Sequence, residues 1–317
     1  MAPGRIAAAL TALAMIAACE PVDTPVAPLP VETPQPPPPR PEPPVVEPSE
    51  ASRDLGLFYR RLQDDLLAQG LLRTDGGGID TPYTATHLSR NFIRIALFDE
   101  YAPSTDGVLV PRQTPSVLRR WEVPIRVGVE FGAAVPEARR AEDRGAIARY
   151  VSRLSRITGH AMATMPEDAN FHVLILNEDD RLGYEARLRQ LVPGIADSSV
   201  RTFLNPGRST LCLVIAFSDG SSPGYTRAVA LIRAEHPDGL RLACIHEEIA
   251  QGLGLPNDSP QARPSIFNDD DEFALLTGHD ENLLRILYDP RMRAGMPADE
   301  AAPLARTIAE ELVGGES

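Results

Sequence analysis

Glu247-Glu248-Ile249-Ala250-Gln251-Gly252-Leu253-Gly254-Leu255-Pro256-Asn257 is the stretch on which the fold turns. Glu247 and Gln251 stand four residues apart, so on a helix both side chains leave the same face. Glu248 follows the first of them. Gly254 permits a left-handed turn that ends the helix. Asn257, three residues on, returns a third oxygen-bearing side chain toward the first two. A second register starts at His246-Glu247, but it puts Ala250 where the second side chain is needed and moves the glycine off by one. The plain alternative is an exposed helix face in Glu247 and Gln251, with the glycines and Pro256 merely ending the helix.

In its first register the stretch resembles the HExxHxxGxxH helix of the zincins, with the three histidines replaced by Glu247, Gln251 and Asn257. That resemblance implies a metal position at those three residues and a general base at Glu248. The donor chemistry runs against it, because zinc sites are dominated by His and Cys, with carboxylates in support. Oxygen-preferring ions would accept these side chains but want six or more ligands. Two alternatives therefore stay open for a cofactor: a divalent ion, or none.

The chain has 317 residues, 43% hydrophobic and 24% charged, enough to bury a sizeable core in one large or two small domains. Residues 1–18 carry one early Arg5, an apolar run and Ile16-Ala17-Ala18 ahead of Cys19, the pattern of a signal peptide ending in a lipobox. Cys19 is expected to be lipidated and to anchor the chain to a bacterial envelope membrane, facing the periplasm or the surface. The stretch from Pro21 to Pro48 holds 13 of the 31 prolines and reads as an extended tether, with residues 19–50 as its span. No later apolar run reaches the length of a membrane span. The formal charge of −13 and the lack of a basic stripe disfavour nucleic acid as a partner. Cys212 and Cys244 remain, and an exported compartment lets them pair, which would pin the Glu247 helix to a strand; two buried thiols are the rival.

Residues 51–120 read as a helical extension and linker. Apolar spacing in Leu55, Phe58, Leu62 and Leu66, and again in Leu88, Phe92 and Ile95, gives two helices around an Asp75-Gly76-Gly77-Gly78 loop, the second opening at Thr84 or Thr86 and running to Pro103. From Trp121 the pattern becomes strand (123–131), helix (142–158), strand (171–176), a polar helical stretch (184–191), strands (211–217 and 228–234) and the Glu247 helix. Ser265-Ile266-Phe267-Asn268 reads as a tight turn, and 275–288 as a further helix with a Thr277/Asp280 capping box.

Two short patterns have plainer readings. Gly220-Ser221-Ser222-Pro223-Gly224 matches GxSxG, but Pro223 has no N–H for an oxyanion hole, so a turn between strands is expected. Asn268-Asp269-Asp270-Asp271-Glu272 lacks the spacing and central glycine of an EF-hand and reads as an acidic turn. His246 is open to three roles: a ligand in the second register, a donor to Glu247, or a helix-start residue with no special task.

Trp121 with its strand, and residues 154–159, 247–258, 265–272 and 277–296, together resemble a family of bacterial envelope lipoproteins with a domain of unknown function, distantly similar to metzincin peptidases. The resemblance implies an α+β, zincin-like (metzincin-type) domain over 121–317, with a mixed sheet, an active-site helix and an N-terminal helical extension. In that frame 265–268 would be the turn beneath the metal, with Phe267 where a methionine stands, and 275–288 the closing helix. Three functions follow: a degenerate site binding an envelope polypeptide without efficient hydrolysis, an atypical metallopeptidase using Glu248 as base, or a structural assembly subunit.

Overall fold

The sheet that places the Glu247 helix is built from five short strands. A computed structural model describes residues 47–103, 109–220 and 222–314, with the backbone alone for 100–103 and 109–113. Residues 1–18, Cys19 and the tether up to residue 46 lie outside the described residues. Strands β3 (Ile125–Phe131), β4 (Met162–Thr164), β5 (Phe171–Leu176), β6 (Cys212–Phe217) and β7 (Arg227–Arg233) form one mixed sheet in the order β4-β3-β5-β7-β6. The β3–β4, β3–β5 and β5–β7 pairs are parallel, and β6 runs antiparallel to β7 at the edge. Every residue of β5 is buried, which is why Phe171-His172-Val173-Leu174-Ile175-Leu176 reads as a continuous apolar run broken only by His172.

Alternate residues divide that sheet between two cores. Phe171, Val173, Ile175, Ala228, Ala230 and Ile232 belong to the main cluster, with α3 (Glu137–Thr158), α7 (Asp238–Gln251) and α8 (Gly278–Leu287). Leu174, Leu176, Val229 and Leu231 meet Leu188 and Leu191 of α5 (Glu185–Leu191) and Val200 and Phe203 of α6 (Asp197–Leu204) on the other face. The expected stripe of α3 is the buried one, through Ile147, Tyr150, Val151 and Leu154. The short α4 (Glu178–Leu182) is capped by Asn177, whose side chain accepts the Asp180 N–H.

The first helix, α1 (Glu50–Ala68), is capped by Ser49 and lays Tyr59 and Leu66 against Leu72, Leu240 and Ala274. Helix α2 (Ala85–Ala96) starts at Thr84, whose side chain accepts the His87 N–H, and fully buries Leu88, Phe92 and Ile95 in the main core against α8 and the C-terminal helix α9 (Ala298–Val313). Helical periodicity carried α2 to Pro103; the helix instead stops at Ala96. Residues Phe98–Pro103 form β1, paired antiparallel with β2 (Leu109–Pro115). A partner strand outside the local window decides this, and β-prone Phe98 and Tyr101 comply. Helix α9 is a further element that the sequence pattern did not reveal. Residues 45–317 form one compact unit, and no described helix is long and apolar enough to cross a membrane.

Candidate functional site

Helix α7 is held from every side before its own polar face is considered. At its start Arg241, 4% exposed, gives its Nε–H to both Asp143 oxygens of α3 at 2.9 and 3.1 Å, and its other nitrogens to the His236 carbonyl and Asp238. In the middle, the Tyr150 hydroxyl donates to the His246 carbonyl at 2.8 Å. A Cys212–Cys244 disulfide, Cα atoms 5.9 Å apart, fastens the helix to edge strand β6. At the end, Trp121 Nε1 donates to the Gly252 carbonyl at 2.8 Å, over the stacked ring of Phe171.

Two glycines make that ending possible. A Cβ at Gly252 would stand 2.6 Å from the Phe171 ring. Gly254, at φ +128°, would bring a Cβ within 2.1 Å of the Arg119 carbonyl oxygen. Gly254 therefore has the expected positive φ, but outside the left-handed helical region; the close approach of the 118–120 backbone also requires glycine there. The helix itself ends earlier, at Gln251.

Cys244, Glu247, Glu248 and Gln251 lie at i, i+3, i+4 and i+7, hence on one face of α7. The Glu247 and Glu248 carboxylates and the Cys212 sulfur all lie within 4.8 Å of one another. Glu248 is buried at 3% exposure. The other two candidates for a metal, Gln251 and Asn257, are also buried, and their amides are engaged within the protein. Gln251 Nε2 donates to Asp258 Oδ1 at 3.2 Å, and Asn257 Nδ2 donates to the Arg94 carbonyl of α2 at 2.8 Å. These amides hold the segment after α7 to its neighbours. One carboxylate with two neutral amides does not fit a catalytic zinc ion, whose ligands are dominated by His and Cys, and no chemical step is derived through one.

His246 has a definite role, different from all three considered for it. Its Nδ1 accepts the Leu276 N–H at 3.1 Å, and its ring stacks on Tyr150 with centroids 3.9 Å apart. Burial lowers its pKa to about 3, so the neutral acceptor form persists. The histidine thereby ties the middle of α7 to the entry of α8.

Beyond the helix, Asp280 organises the turn that the sequence singled out. It completes the expected capping box with Thr277 and also receives Ser265 Oγ at 2.5 Å and the Ile266 N–H at 3.1 Å. Phe267, fully buried, joins the main core. In the acidic segment, Glu272 pairs with Arg73 and Arg263, while burial raises the pKa values of Asp270 and Asp271. The Ser222 hydroxyl accepts the Gly224 N–H at 3.1 Å, the local bond of a turn.

Sequence reasoning passed over His236. It is 2% exposed, and its Nδ1 lies 3.8 Å from the Cys244 sulfur. Only the fold brings it there, although its eight-residue distance from Cys244 across the α7 start was visible. A separate cavity of about 300 Å³ beside α2, lined by His87, Arg90, Asn91, Gln261 and Arg263 among others, was also not foreseen, since it joins segments far apart in sequence.

With this geometry in place, comparison with known families gives a family for the chain. Residues 85–307 match the model described as "Protein of unknown function (DUF2927)", and the chain belongs to that family. The matched span runs from the start of α2 into α9, so it takes in the whole sheet and α7. No curated protein matches the chain.

Proposed function

We propose that the chain is a zincin-like scaffold with a degenerate metal site, which binds an extended polypeptide beside α7 without efficient hydrolysis. The observation that carries this reading is that buried neutral amides, Gln251 and Asn257, stand at the two positions where a zincin needs histidine ligands, with their NH2 groups bonded to Asp258 and the Arg94 carbonyl. Further support comes from element order: strand, helix, strands, then a helix bearing Glu247 and Glu248, then a tight turn and a capped helix. Among the described residues β6 has a strand partner on one side only, and it borders α7. An extended segment adding to that edge would use main-chain hydrogen bonds, with side chains supplying selectivity. In this reading Cys19 carries a lipid and the proline-rich tether holds the domain off an envelope membrane.

The test is to incubate the full oxidised chain with a broad labelled peptide mixture and to measure metal content, binding and new peptide termini together. Saturable binding with intact peptides and substoichiometric metal is expected, unaltered in catalytic terms by Glu248→Gln. Stoichiometric metal and cleavage that disappears in Glu248→Gln would replace the proposal with an active peptidase. Absence of peptide binding would leave an assembly role in its place.

A further inference from the structure

The disulfide lies in an unusual chemical setting. Cys212 comes from β6 and Cys244 from α7, and the Cys212 sulfur lies within 4.8 Å of a carboxylate oxygen of Glu247 and one of Glu248. Cys244, Glu247 and Glu248 share one helix face, so the second sulfur lies on the side of α7 that bears the two carboxylates. Behind Cys244, His236 is buried, with Nδ1 3.8 Å from the sulfur and Nε2 without a hydrogen-bond partner among the described residues. The Cys212 sulfur and the two carboxylates thus meet at one corner, with Cys244 bonded to Cys212 and His236 behind Cys244. While the sulfurs are bonded to each other, neither offers the thiolate that a soft divalent ion requires.

We propose that reduction of Cys212–Cys244 opens a zinc-type site whose ligands are the Cys212 and Cys244 thiolates and the Glu247 and Glu248 carboxylates. The reductant is a dithiol. One of its thiolates attacks Cys212, the less buried of the two residues, forming a mixed disulfide and expelling Cys244 as a thiolate that takes a proton. The second thiol of the reductant then displaces Cys212, leaving two protein thiols and the reductant's own disulfide. Binding of the divalent ion expels both thiol protons. Two thiolates, two carboxylates and a divalent ion sum to a formal charge of −2, as in a zinc site of four cysteines. His236, with Nδ1 3.8 Å from the Cys244 sulfur, would fix the orientation of that ligand from behind. This site is independent of the peptide-binding reading and of Gln251 and Asn257.

The probe is cobalt(II), followed by zinc, titrated into the full chain after anaerobic reduction with a non-chelating phosphine. A sulfur-to-cobalt charge-transfer band should grow to one equivalent, vanish on zinc addition, and be absent in the oxidised chain. Reoxidation should release the zinc as the disulfide re-forms. Glu247→Gln with Glu248→Gln should weaken cobalt binding by about tenfold or more, and Cys212→Ala with Cys244→Ala should remove the band. No band in the reduced chain, equal binding by the oxidised chain, or unchanged affinity in the double glutamine variant would each overturn the proposal. If the reduced chain loses its folded circular dichroism, zinc must restore it; failure to do so is equally fatal. Peptide binding is read on the oxidised chain, so the two tests fail separately.

Discussion

His246→Asn is a perturbation whose effect should reverse in rank with pH. In the folded chain burial holds this histidine neutral, with its pKa lowered to about 3 from an ordinary 6.5. The unfolded chain takes up a proton that the folded chain refuses, so stability is complete above about 6.5 and declines as pH falls toward about 3. At about pH 4.5 the two pKa values imply a loss of about 3 kcal/mol from this residue alone. Asparagine presents an oxygen near the former Nδ1 and can keep the Leu276 N–H satisfied, but it gives up the stack on Tyr150. That loss costs about 1–2 kcal/mol near pH 7.5. The variant should therefore be less stable than the parent at about pH 7.5 and equal or better at about pH 4.5, since it has no imidazole there to charge. Urea midpoints at both pH values, with the slope held constant, measure the gap. His236, lowered to about 3, and His172, lowered to about 4, remain in both proteins and cancel in the difference. A parent-to-variant gap that stays the same at both pH values would refute the assignment of His246 as a neutral acceptor.

Other substitutions test the frame around α7. Gly254→Ala should destabilise by more than about 3 kcal/mol through its positive φ and its contact with the Arg119 carbonyl, whereas Gly159→Ala, with positive φ but open space, should cost about 1 kcal/mol; thermal or urea unfolding compares them. Asp143→Ala should cost about 3 kcal/mol, because it leaves the buried Arg241 guanidinium with only the exposed Asp238 carboxylate, and a loss below about 1 kcal/mol would show that Asp238 or solvent suffices for Arg241. Asp280→Asn should lower stability by about 2 kcal/mol, with amide exchange rising first across 264–278, where its acceptor bonds end. Replacing both Cys212 and Cys244 by alanine, with their sequence separation of 32, should cost about 3–4 kcal/mol by the loop-entropy argument, read from unfolding midpoints of the oxidised parent and the variant.

Much of the framework was legible because its signals are local. The stripe of α3, the apolar run of β5, the Thr84 cap and the Thr277/Asp280 box are each contained within one turn or one strand, and each appears where the residues indicate. The Cys212–Cys244 pairing was also accessible, since only two cysteines followed Cys19. Where a distant segment decides, the sequence misled. Pairing with β2 ended α2 early, and α9 went unseen although it packs on α2.

The amino-acid order by itself indicated that Glu247 and Gln251 share a helix face, because helical periodicity needs no partner; it placed Cys244 just ahead of that helix, whereas α7 starts at Asp238 and includes it. Only the tertiary structure decided what those side chains do. The amides of Gln251 and Asn257 turn to Asp258 and the Arg94 carbonyl, His246 reaches the Leu276 N–H, and β6 brings Cys212 to the two glutamates. Hydrogen bonds and sulfur contacts depend on distances of a few ångströms between segments far apart in the chain, and spacing along the sequence does not contain those distances.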